Sequence, residues 1–354
     1  MKAATIRDVA AHSGVSVASV SRVLNGAGPV TEATRQRVLK AVEALGYVPH
    51  SGARSLSTSR TDTVGVILPD LFGEFFSELI RGLDLAARGH GLHLIVSSSH
   101  GDADEASAAI RSMRGRVDGL IVLSPHLDDF GLSATAGRMP VLMMNGGPVG
   151  GLPSIAVDNR GGAMAAVQHL VEIGRRKIAH VSGPAGNLEA EARLAGYSEA
   201  MAAADLSPRV VDGDFTQAAG YEAAVALFRA EARPDALFVA NDTMAIGALL
   251  ALQDLGLRCP EDVAVVGFDD VPVAALVRPG LTTLRVDIAG VGRRALDRLV
   301  GLIRQPDAPG AEAQETVRPS LVVRGSSRAD VSPNASTMTG PGIVPAGATT
   351  LGKT

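Results

Sequence analysis

The sequence has few of the residues that define several common classes of protein. It contains no tryptophan and a single cysteine, Cys259, among 354 residues. One cysteine cannot form a disulfide framework within the chain, so we expect Cys259 to be a buried apolar residue in a reducing compartment. The longest apolar runs, at residues 119–123 and 263–268, are too short to span a bilayer. The first eight residues lack a signal-peptide core, and these absences together predict a cytoplasmic protein without membrane contact.

Motifs for catalysis and for metal binding are also missing. The loop at residues 182–186 follows a predicted strand, but it lacks the lysine of a P-loop and the spacing of a dinucleotide fingerprint. There is no Gly-x-Ser-x-Gly elbow, and the eight histidines show no metal-ligand spacing. We therefore interpret the loop as a structural turn and expect no enzymatic activity, no cofactor and no metal.

Charge is distributed unevenly along the chain. Residues 1–60 carry 8 basic and 3 acidic residues, a net charge of +5, so the remainder carries −9 of the total −4. A basic segment on an acidic body is typical of a protein that binds a polyanion, although a solvated helical face has a similar composition. The length predicts two or three domains.

The basic segment has the pattern of a helix-turn-helix. Residues 5–8 have the spacing of a capping box, with Thr5 at the cap, and Gly14 ends this first helix. Ser16 can cap a second helix after a short turn, and Thr31 opens a third helix that Gly46 ends. Two short helices joined this tightly predict a DNA-binding unit whose second helix enters the major groove.

The start of that second helix carries the candidate base-reading residues Ser16, Val17, Ala18 and Ser21, with Arg22 one turn in. Arg22 has the fork for a bidentate contact to guanine, whereas Val17 and Ala18 suit thymine methyl groups. A phosphate clamp or a surface ion pair is the alternative interpretation of Arg22.

The head contains four short motifs, TIRDVA at residues 5–10, GVS at 14–16, VSRVLN at 20–25 and LGYVP at 45–49. Together they resemble the head of the LacI/GalR family of bacterial transcriptional regulators. ARSL at residues 53–56 resembles the family's hinge helix, whereas His50 replaces a usual asparagine and so bears on one phosphate contact. The resemblance extends from about residue 4 to about residue 325. It implies DNA contacts by Thr5, Ser16, Val17, Ala18, Ser21, Arg22, Asn25, Tyr47, His50, Ala53 and Leu56.

The hinge predicts a homodimer on double-stranded operator DNA. A segment of this length is too short to be helical alone, but two hinges can be helical when they pack together on DNA. Leu56 then resembles the family's minor-groove wedge, which kinks a pseudo-palindromic operator at its central step. An ordinary apolar linker residue is the alternative interpretation of Leu56.

Beyond residue 62, short apolar runs alternate with amphipathic stretches. Strands are predicted at 64–68, 93–97, 119–123, 141–144, 178–182, 210–213, 236–239 and 263–268, with helices at 75–90, 104–114, 161–174, 190–204, 218–230, 243–255 and 288–304. Repeated βα units in two sets predict an α/β fold with two doubly wound parallel-sheet subdomains, which the resemblance identifies as periplasmic-binding-protein-like.

These patterns divide the chain into four predicted regions. Residues 1–49 form the DNA-binding head, 50–61 the hinge, 62–325 the effector-binding and dimerisation domain, and 326–354 a disordered tail. The expected subdomains comprise residues 62–158 with 287–317 and residues 161–283 with 320–325.

The resemblance also implies a small-molecule effector in the cleft of the body. The implied contacts are Phe75, Phe76, Asp158, Arg193, Phe215, Asn241 and Asp269. Arginine, aspartate and asparagine beside phenylalanines favour a sugar, so the expected function is a repressor of a carbohydrate-utilisation operon. In the alternative interpretation, Phe75 or Phe76 is a core residue, and Asp242 and Asp270 are read as helix caps. A nucleobase or other non-sugar effector, an activator, and more distantly a solute-binding protein are the alternative functions.

Overall fold

The computed structural model describes the chain in six segments, residues 4–25, 28–48, 60–123, 135–144, 152–305 and 314–328. The predicted hinge contacts His50, Ala53 and Leu56 lie outside the described residues. The chain divides into two compact units. Unit 1 comprises residues 1–156 and 288–316, and unit 2 comprises residues 157–287 and 317–354.

The head contains three helices, α1 (Ile6–Ser13), α2 (Val17–Asn25) and α3 (Glu32–Leu45). The capping box at Thr5 is present, and Gly14 and Gly46 end α1 and α3 in the left-handed conformation that favours glycine. The three helices enclose one small apolar core. Its buried members are Val9, Ala10, Val20, Val23, Val38, Ala41 and Tyr47. Residues 14–16 therefore form the turn of the helix-turn-helix.

The α/β part of unit 1 is built on a six-stranded sheet with the strand order β11-β5-β4-β3-β1-β2. Neighbours from β5 to β2 are parallel. Strands β3 and β4 are buried along their whole length, which explains their unbroken apolar sequences. The elements are β1 (Thr63–Leu68), α4 (Glu74–His90), β2 (His93–Ser98), α5 (Ala103–Met113), β3 (Gly119–Val122), β4 (Val141–Met144), β5 (Ser154–Val157), α10 (Ile288–Arg304) and β11 (Gln314–Val317).

Unit 2 contains a four-stranded parallel sheet with the order β7-β6-β8-β9 and a two-stranded antiparallel pair, β10 with β12. Its elements are α6 (Asn159–Glu172), β6 (Ile178–Val181), α7 (Leu188–Ala203), β7 (Arg209–Val211), α8 (Gln217–Arg229), β8 (Ala236–Val239), α9 (Asp242–Asp254), β9 (Ala264–Val266), a 3-10 helix (Pro272–Ala275), β10 (Thr283–Arg285) and β12 (Ser320–Val322).

The predicted start of the disordered tail at residue 326 is wrong. Ser326 is fully buried, its hydroxyl donates to the Val265 carbonyl, and the Val265 N–H donates to the Ser326 carbonyl. Ser327 is also buried, 2.8 Å from His169 Nε2. The small hydroxyl side chains that suggested disorder instead complete hydrogen bonds beside β9, so the ordered body extends at least to residue 328.

Candidate DNA-reading helix and effector site

The start of α2 presents its side chains to solvent. Ser16, Val17, Ala18 and Arg22 are exposed, and Val17 keeps 42% of its surface accessible although it is apolar. Val20 and Val23, on the opposite side of the helix, are buried in the head's core. The helix therefore offers one exposed edge of polar and apolar side chains, of the kind that enters a major groove, and the Ser16 hydroxyl at its start also accepts the Ser19 N–H at 3.2 Å.

Other predicted DNA contacts of the head have structural partners. Thr5 Oγ1 donates to Asp8 Oδ2 at 2.7 Å within the capping box, and Asn25 Nδ2 donates to Ser21 Oγ at 3.2 Å. Tyr47 is 7% exposed and packs in the core. The structure thus gives Thr5, Asn25 and Tyr47 a role in folding, and a DNA contact by any of them stays a prediction.

Most of the predicted effector residues in unit 2 follow the carboxyl ends of its parallel strands. Phe215 follows β7, Asn241 follows β8 and Asp269 follows β9, whereas Arg193 projects from α7, which begins after β6. Because parallel strands end at one edge of a sheet, these loops share the edge where α/β proteins bind ligands.

The Arg193 guanidinium is the centre of this cluster. The side chain is 6% exposed and donates to Asn159 Oδ1 at 2.8 Å, to the Ala240 carbonyl at 2.5 Å and to Asp269 Oδ1 at 3.4 Å. Its carbon Cζ lies 3.9 Å from the centre of the Phe268 ring, a cation–π contact. These bonds use three of the five guanidinium N–H groups, which leaves two without a bond in the described part of the chain.

Asp269 combines burial with backbone strain. Burial raises the pKa of its carboxyl to about 7; Arg193 opposes this increase, while Glu189 adds to it. Its φ angle is 111°, and the φ angle of the next residue, Asp270, is 58°. Strain of this kind at two consecutive non-glycine residues is characteristic of functional loops.

Asn241 connects the loop after β7 to the start of α9 through both atoms of its side-chain amide. Its Oδ1 accepts the Met244 N–H and caps α9, while its Nδ2 donates to the Phe215 carbonyl at 3.2 Å. Phe215 is itself in a left-handed conformation, with φ 70°. Its ring lies so close to Gly183 that a Cβ there would approach it to 2.5 Å. The Asn241 amide therefore holds the main chain of Phe215, and the absence of a side chain at Gly183 leaves room for the Phe215 ring.

The prediction that Asp242 caps the following helix is wrong, because Asn241 occupies the cap position. Asp242 is fully buried, and its carboxylate accepts the Val271 N–H at 2.9 Å and the Thr283 hydroxyl at 2.5 Å. Burial, and secondarily the charge of Asp269, raises the pKa of Asp242 well above its ordinary value. Asp242 is therefore a buried link between three segments of unit 2.

The cap prediction for Asp270 is also wrong. The short 3-10 helix begins with Val271 at its cap, and the Asp270 carboxylate instead accepts from Arg285 Nε and Arg324 Nη2, both at 2.6 Å. Sequence spacing identified an acid before a helix, but the nearby cations come from residues 15 and 54 positions away.

The remaining candidates have more local surroundings. Asp158 caps α6, with its Oδ1 accepting the Gly161 N–H at 2.9 Å. Phe75 and Phe76, in the first turn of α4 of unit 1, are both half-buried and meet edge to face with their centroids 5.4 Å apart. Neither Phe75 nor Phe76 is a buried core residue.

A stacked aromatic layer fixes α7, and with it Arg193, on the sheet. The His180 ring of β6 stacks on Tyr197 and on Phe238, with centroids 5.0 and 4.8 Å away. Burial lowers the pKa of His180 to about 4, so the ring is neutral. Tyr197, one turn after Arg193 on α7, donates its hydroxyl proton to the Ile178 carbonyl at 2.8 Å.

Comparison with known proteins places this arrangement in a family. The bacterial regulatory proteins of the lacI family match residues 5–50, and a periplasmic binding protein-like domain matches residues 167–327. The ribose operon repressor of Escherichia coli K12 is 35% identical over 331 residues, which cover 91% of this chain and 99% of that repressor. This chain belongs to the lacI family.

Two further relatives agree with that membership. The HTH-type transcriptional repressor PurR of Aliivibrio fischeri is 34% identical over 332 residues, 91% of this chain and 98% of that protein. The crystal structure of the Lac repressor dimer bound to operator and the anti-inducer ONPF has a TM-score of 0.83 and 30% identity, covering 92% of this chain and 99% of that chain. The predicted fold is confirmed: a helical DNA-binding head precedes two parallel-sheet α/β subdomains.

Membership of the lacI family makes the chain a DNA-binding transcriptional repressor and not an enzyme. Among its described residues, no helix is long and apolar enough to cross a membrane. Sequence reasoning missed three groups around Arg193: Asn159, Phe268 and the carbonyl of Ala240. Phe268 directly precedes the predicted effector residue Asp269, so its position in the sequence gave a usable signal, whereas a main-chain carbonyl gives none.

Proposed function

We propose that the chain represses a carbohydrate-utilisation operon and that a sugar bound beside Arg193 and Asp269 controls its affinity for DNA. The observation that carries the proposal is the buried Arg193–Asp269 pair, which offers cationic donors and a carboxylate acceptor together. Adjacent hydroxyl groups both donate and accept hydrogen bonds, and they match such a pair. Phe215, held in its left-handed conformation, supplies an apolar ring at the same sheet edge. Phe75, Phe76, Asp158 and Asn241 are further proposed members of the effector site.

One relative supports a sugar as the class of effector, but it does not indicate which sugar. The ribose operon repressor is named for a sugar operon, whereas other homologues regulate purine or catabolite control. A nucleobase or another non-sugar effector is therefore the alternative.

A thermal-shift screen of the full-length protein tests the effector class. The panel contains pentoses, hexoses, disaccharides and nucleosides, and it is repeated with Arg193→Lys and with Arg258→Lys as the control. Arg258 is an exposed arginine of unit 2 paired with Asp262, so its replacement leaves the site intact. We expect a sugar to raise the melting temperature of the wild type and of Arg258→Lys, with a much smaller effect on Arg193→Lys. A response to nucleosides alone would replace the sugar assignment with the alternative.

DNA binding through the exposed edge of α2 is the second component of the proposal. Arg22→Ala is expected to weaken binding to an operator selected from random DNA by about 1–3 kcal/mol and to relax the preference at one base pair. Arg35→Ala on α3, an arginine whose side chain is 43% exposed and pairs with Glu32, is the matched control for loss of one positive charge. Equal losses for both variants, measured by fluorescence anisotropy, would mean that Arg22 acts only through general electrostatics.

A homodimer on a pseudo-palindromic operator completes the proposal. Each unit exposes large apolar side chains that a second copy can cover: Leu85 on α4, and Leu250 and Leu276 in unit 2, at 49%, 44% and 71% exposure. The Lac repressor to which the chain is similar was crystallised as a dimer on its operator.

A further inference from the structure

Each of the three residues 269–271 is hydrogen-bonded to another segment of unit 2, through a different group. The Asp269 main chain bonds to β10, the Asp270 side chain bonds to two arginines, and the Val271 N–H bonds to the buried Asp242. A loop held at every residue transmits a displacement at one position to its partners instead of absorbing it.

The main chain of Asp269 continues the sheet onto β10. Its N–H donates to the Leu284 carbonyl at 2.9 Å, and its carbonyl accepts the Val286 N–H at 3.4 Å. Asp269 and Arg285 form a parallel β-bridge. The residue whose side chain meets Arg193 is therefore bonded through its backbone to the segment containing β10.

The side chain of Asp270 reinforces the same connection. Its carboxylate is 7% exposed and takes Arg285, within β10, on one oxygen and Arg324, two residues after β12, on the other. Arg324 also donates to the Leu281 carbonyl at 2.7 Å, just before β10. One carboxylate thus joins β10 and the segment that follows β12 to the end of β9.

Strands β10 and β12 flank two of the places where the chain passes between the units. Asp287, two residues after β10, is the last residue of unit 2 before Ile288 begins unit 1. The chain returns at Val317, three residues before β12. A displacement of either strand therefore also affects the adjacent segment of chain that connects the two units.

We propose that Asp270, with Arg285 and Arg324, is a positioning cluster that transmits the state of the Asp269 carboxylate to the crossover strands β10 and β12. The inference deepens the proposed function and depends on it only for the assignment of an effector to Asp269. Asp269 and Asp270 both have positive φ angles, so a change in how the first carboxylate is bound tilts a strained peptide whose N–H and carbonyl are both bonded to the β10 segment. The ion pairs of Asp270 keep β10 attached to the loop after β9 when that tilt occurs.

The test uses hydrogen–deuterium exchange by mass spectrometry on the full-length protein without any effector. The variants are Asp269→Asn, Asp270→Asn and the double variant. Asparagine tolerates a positive φ as well as aspartate does, so each substitution removes an ionisable carboxyl group without adding backbone strain. Asp262→Asn, which removes an exposed carboxylate paired with Arg258, is the control.

In the Asp270→Asn protein we expect peptides covering residues 283–287 and 320–324 to exchange about tenfold faster, because two charge-assisted hydrogen bonds are weakened. Asp269→Asn alone should accelerate the same peptides about threefold, and it should add nothing once Asp270 is already replaced. The Asp262→Asn control should leave them unchanged, and α8 and α9 should keep wild-type exchange in every variant as a measure of folding.

Two results would overturn the proposal. One is an unchanged exchange of residues 283–287 in Asp269→Asn, and the other is a double variant in which the two accelerations multiply. If Asp270→Asn fails to fold, Arg285→Gln replaces it, because Arg285 is 49% exposed and its loss is tolerated more easily. Since no effector is present, a failed sugar screen leaves this test intact, and a failed exchange test leaves the sugar screen intact.

Discussion

Replacing Asp269 by asparagine should change how the stability of unit 2 depends on pH. Burial raises the pKa of the Asp269 carboxyl from its ordinary value of 3.8 to about 7. Between these two values the folded protein holds a proton on Asp269 that the unfolded chain releases. The contribution of the Asp269 carboxyl to the free energy of unfolding is therefore fully present below pH 3.8 and is lost as the pH rises through about 7. Asparagine retains an acceptor oxygen for Arg193 and does not titrate.

The magnitude follows from the linkage of proton binding to unfolding. For a single carboxyl with these two pKa values, the free energy of unfolding at about pH 5 exceeds that at about pH 8 by about 2–3 kcal/mol. Asp242 also has a raised pKa, but it is present in both proteins, so its contribution cancels in the comparison. The expected quantity is the difference between the wild-type and the Asp269→Asn pH dependence.

Urea unfolding followed by tyrosine fluorescence and circular dichroism measures this difference. Tyr197 and Tyr221 both lie in unit 2, so they report on the unit that contains Asp269. Asp262→Asn is the control, because its arginine partner lowers the pKa of Asp262 to about 2 and keeps it ionised throughout the range. Parallel pH profiles for wild type and Asp269→Asn would refute the reasoning, since they would place the Asp269 carboxyl in an environment that does not favour its protonation.

Three further changes test the packing, the head and the dimer. Gly247→Ala should lower the free energy of unfolding by about 1–3 kcal/mol in urea titrations, because its Cβ would lie 2.0 Å from the Gln217 carbonyl oxygen. Gly301→Ala is the control: no atom lies within 4 Å of its Cβ position, so the substitution should raise the free energy of unfolding by about 0.5–1 kcal/mol. An equal effect of both would contradict the close contact between α8 and α9. Thr5→Ala removes the capping box of α1 and should cost about 0.5–2 kcal/mol, measured as faster amide exchange in α1; unchanged exchange would mean that the cap contributes nothing. Leu276→Asp should shift light-scattering mass from dimer to monomer, and a mass that stays dimeric would remove Leu276 from the proposed interface.

The sequence predicts the long elements of this fold well because their periodicity is strong. Strand β4 and helix α10 have the predicted bounds, and most other helices begin within two residues of the predicted start. The short strands β5, β10, β11 and β12 were not predicted as strands. Their length does not set them apart, since β4 also has four residues, but several lie where the chain passes between units, so their conformation depends on distant pairing that no local pattern contains.

The neighbouring residues Asn241 and Asp242 show why side-chain roles are harder to predict than elements. Both acids and amides favour helix caps, and sequence spacing assigned the cap to Asp242 and the ligand to Asn241. The structure reverses the cap assignment, since Asn241 caps α9 and Asp242 is buried against Thr283 and Val271. A shift of one residue in the start of a helix decides which side chain points into the protein, and helix boundaries are the least certain feature of a pattern.

Backbone strain gives an independent reason to propose an effector site at this edge of unit 2. Aspartate and histidine adopt positive φ angles more readily than most side chains, so their occurrence in turns needs little explanation. Phe215 is different, because a bulky aromatic residue with φ 70° is a true outlier that glycine would relieve. It occurs at the same strand ends as Asp269 and Asp270, and Gly183 leaves room for its ring. Phe215 therefore carries the argument from strain, because a bulky residue in this conformation favours the proposed role in recognition over a role in folding alone, which glycine would serve better.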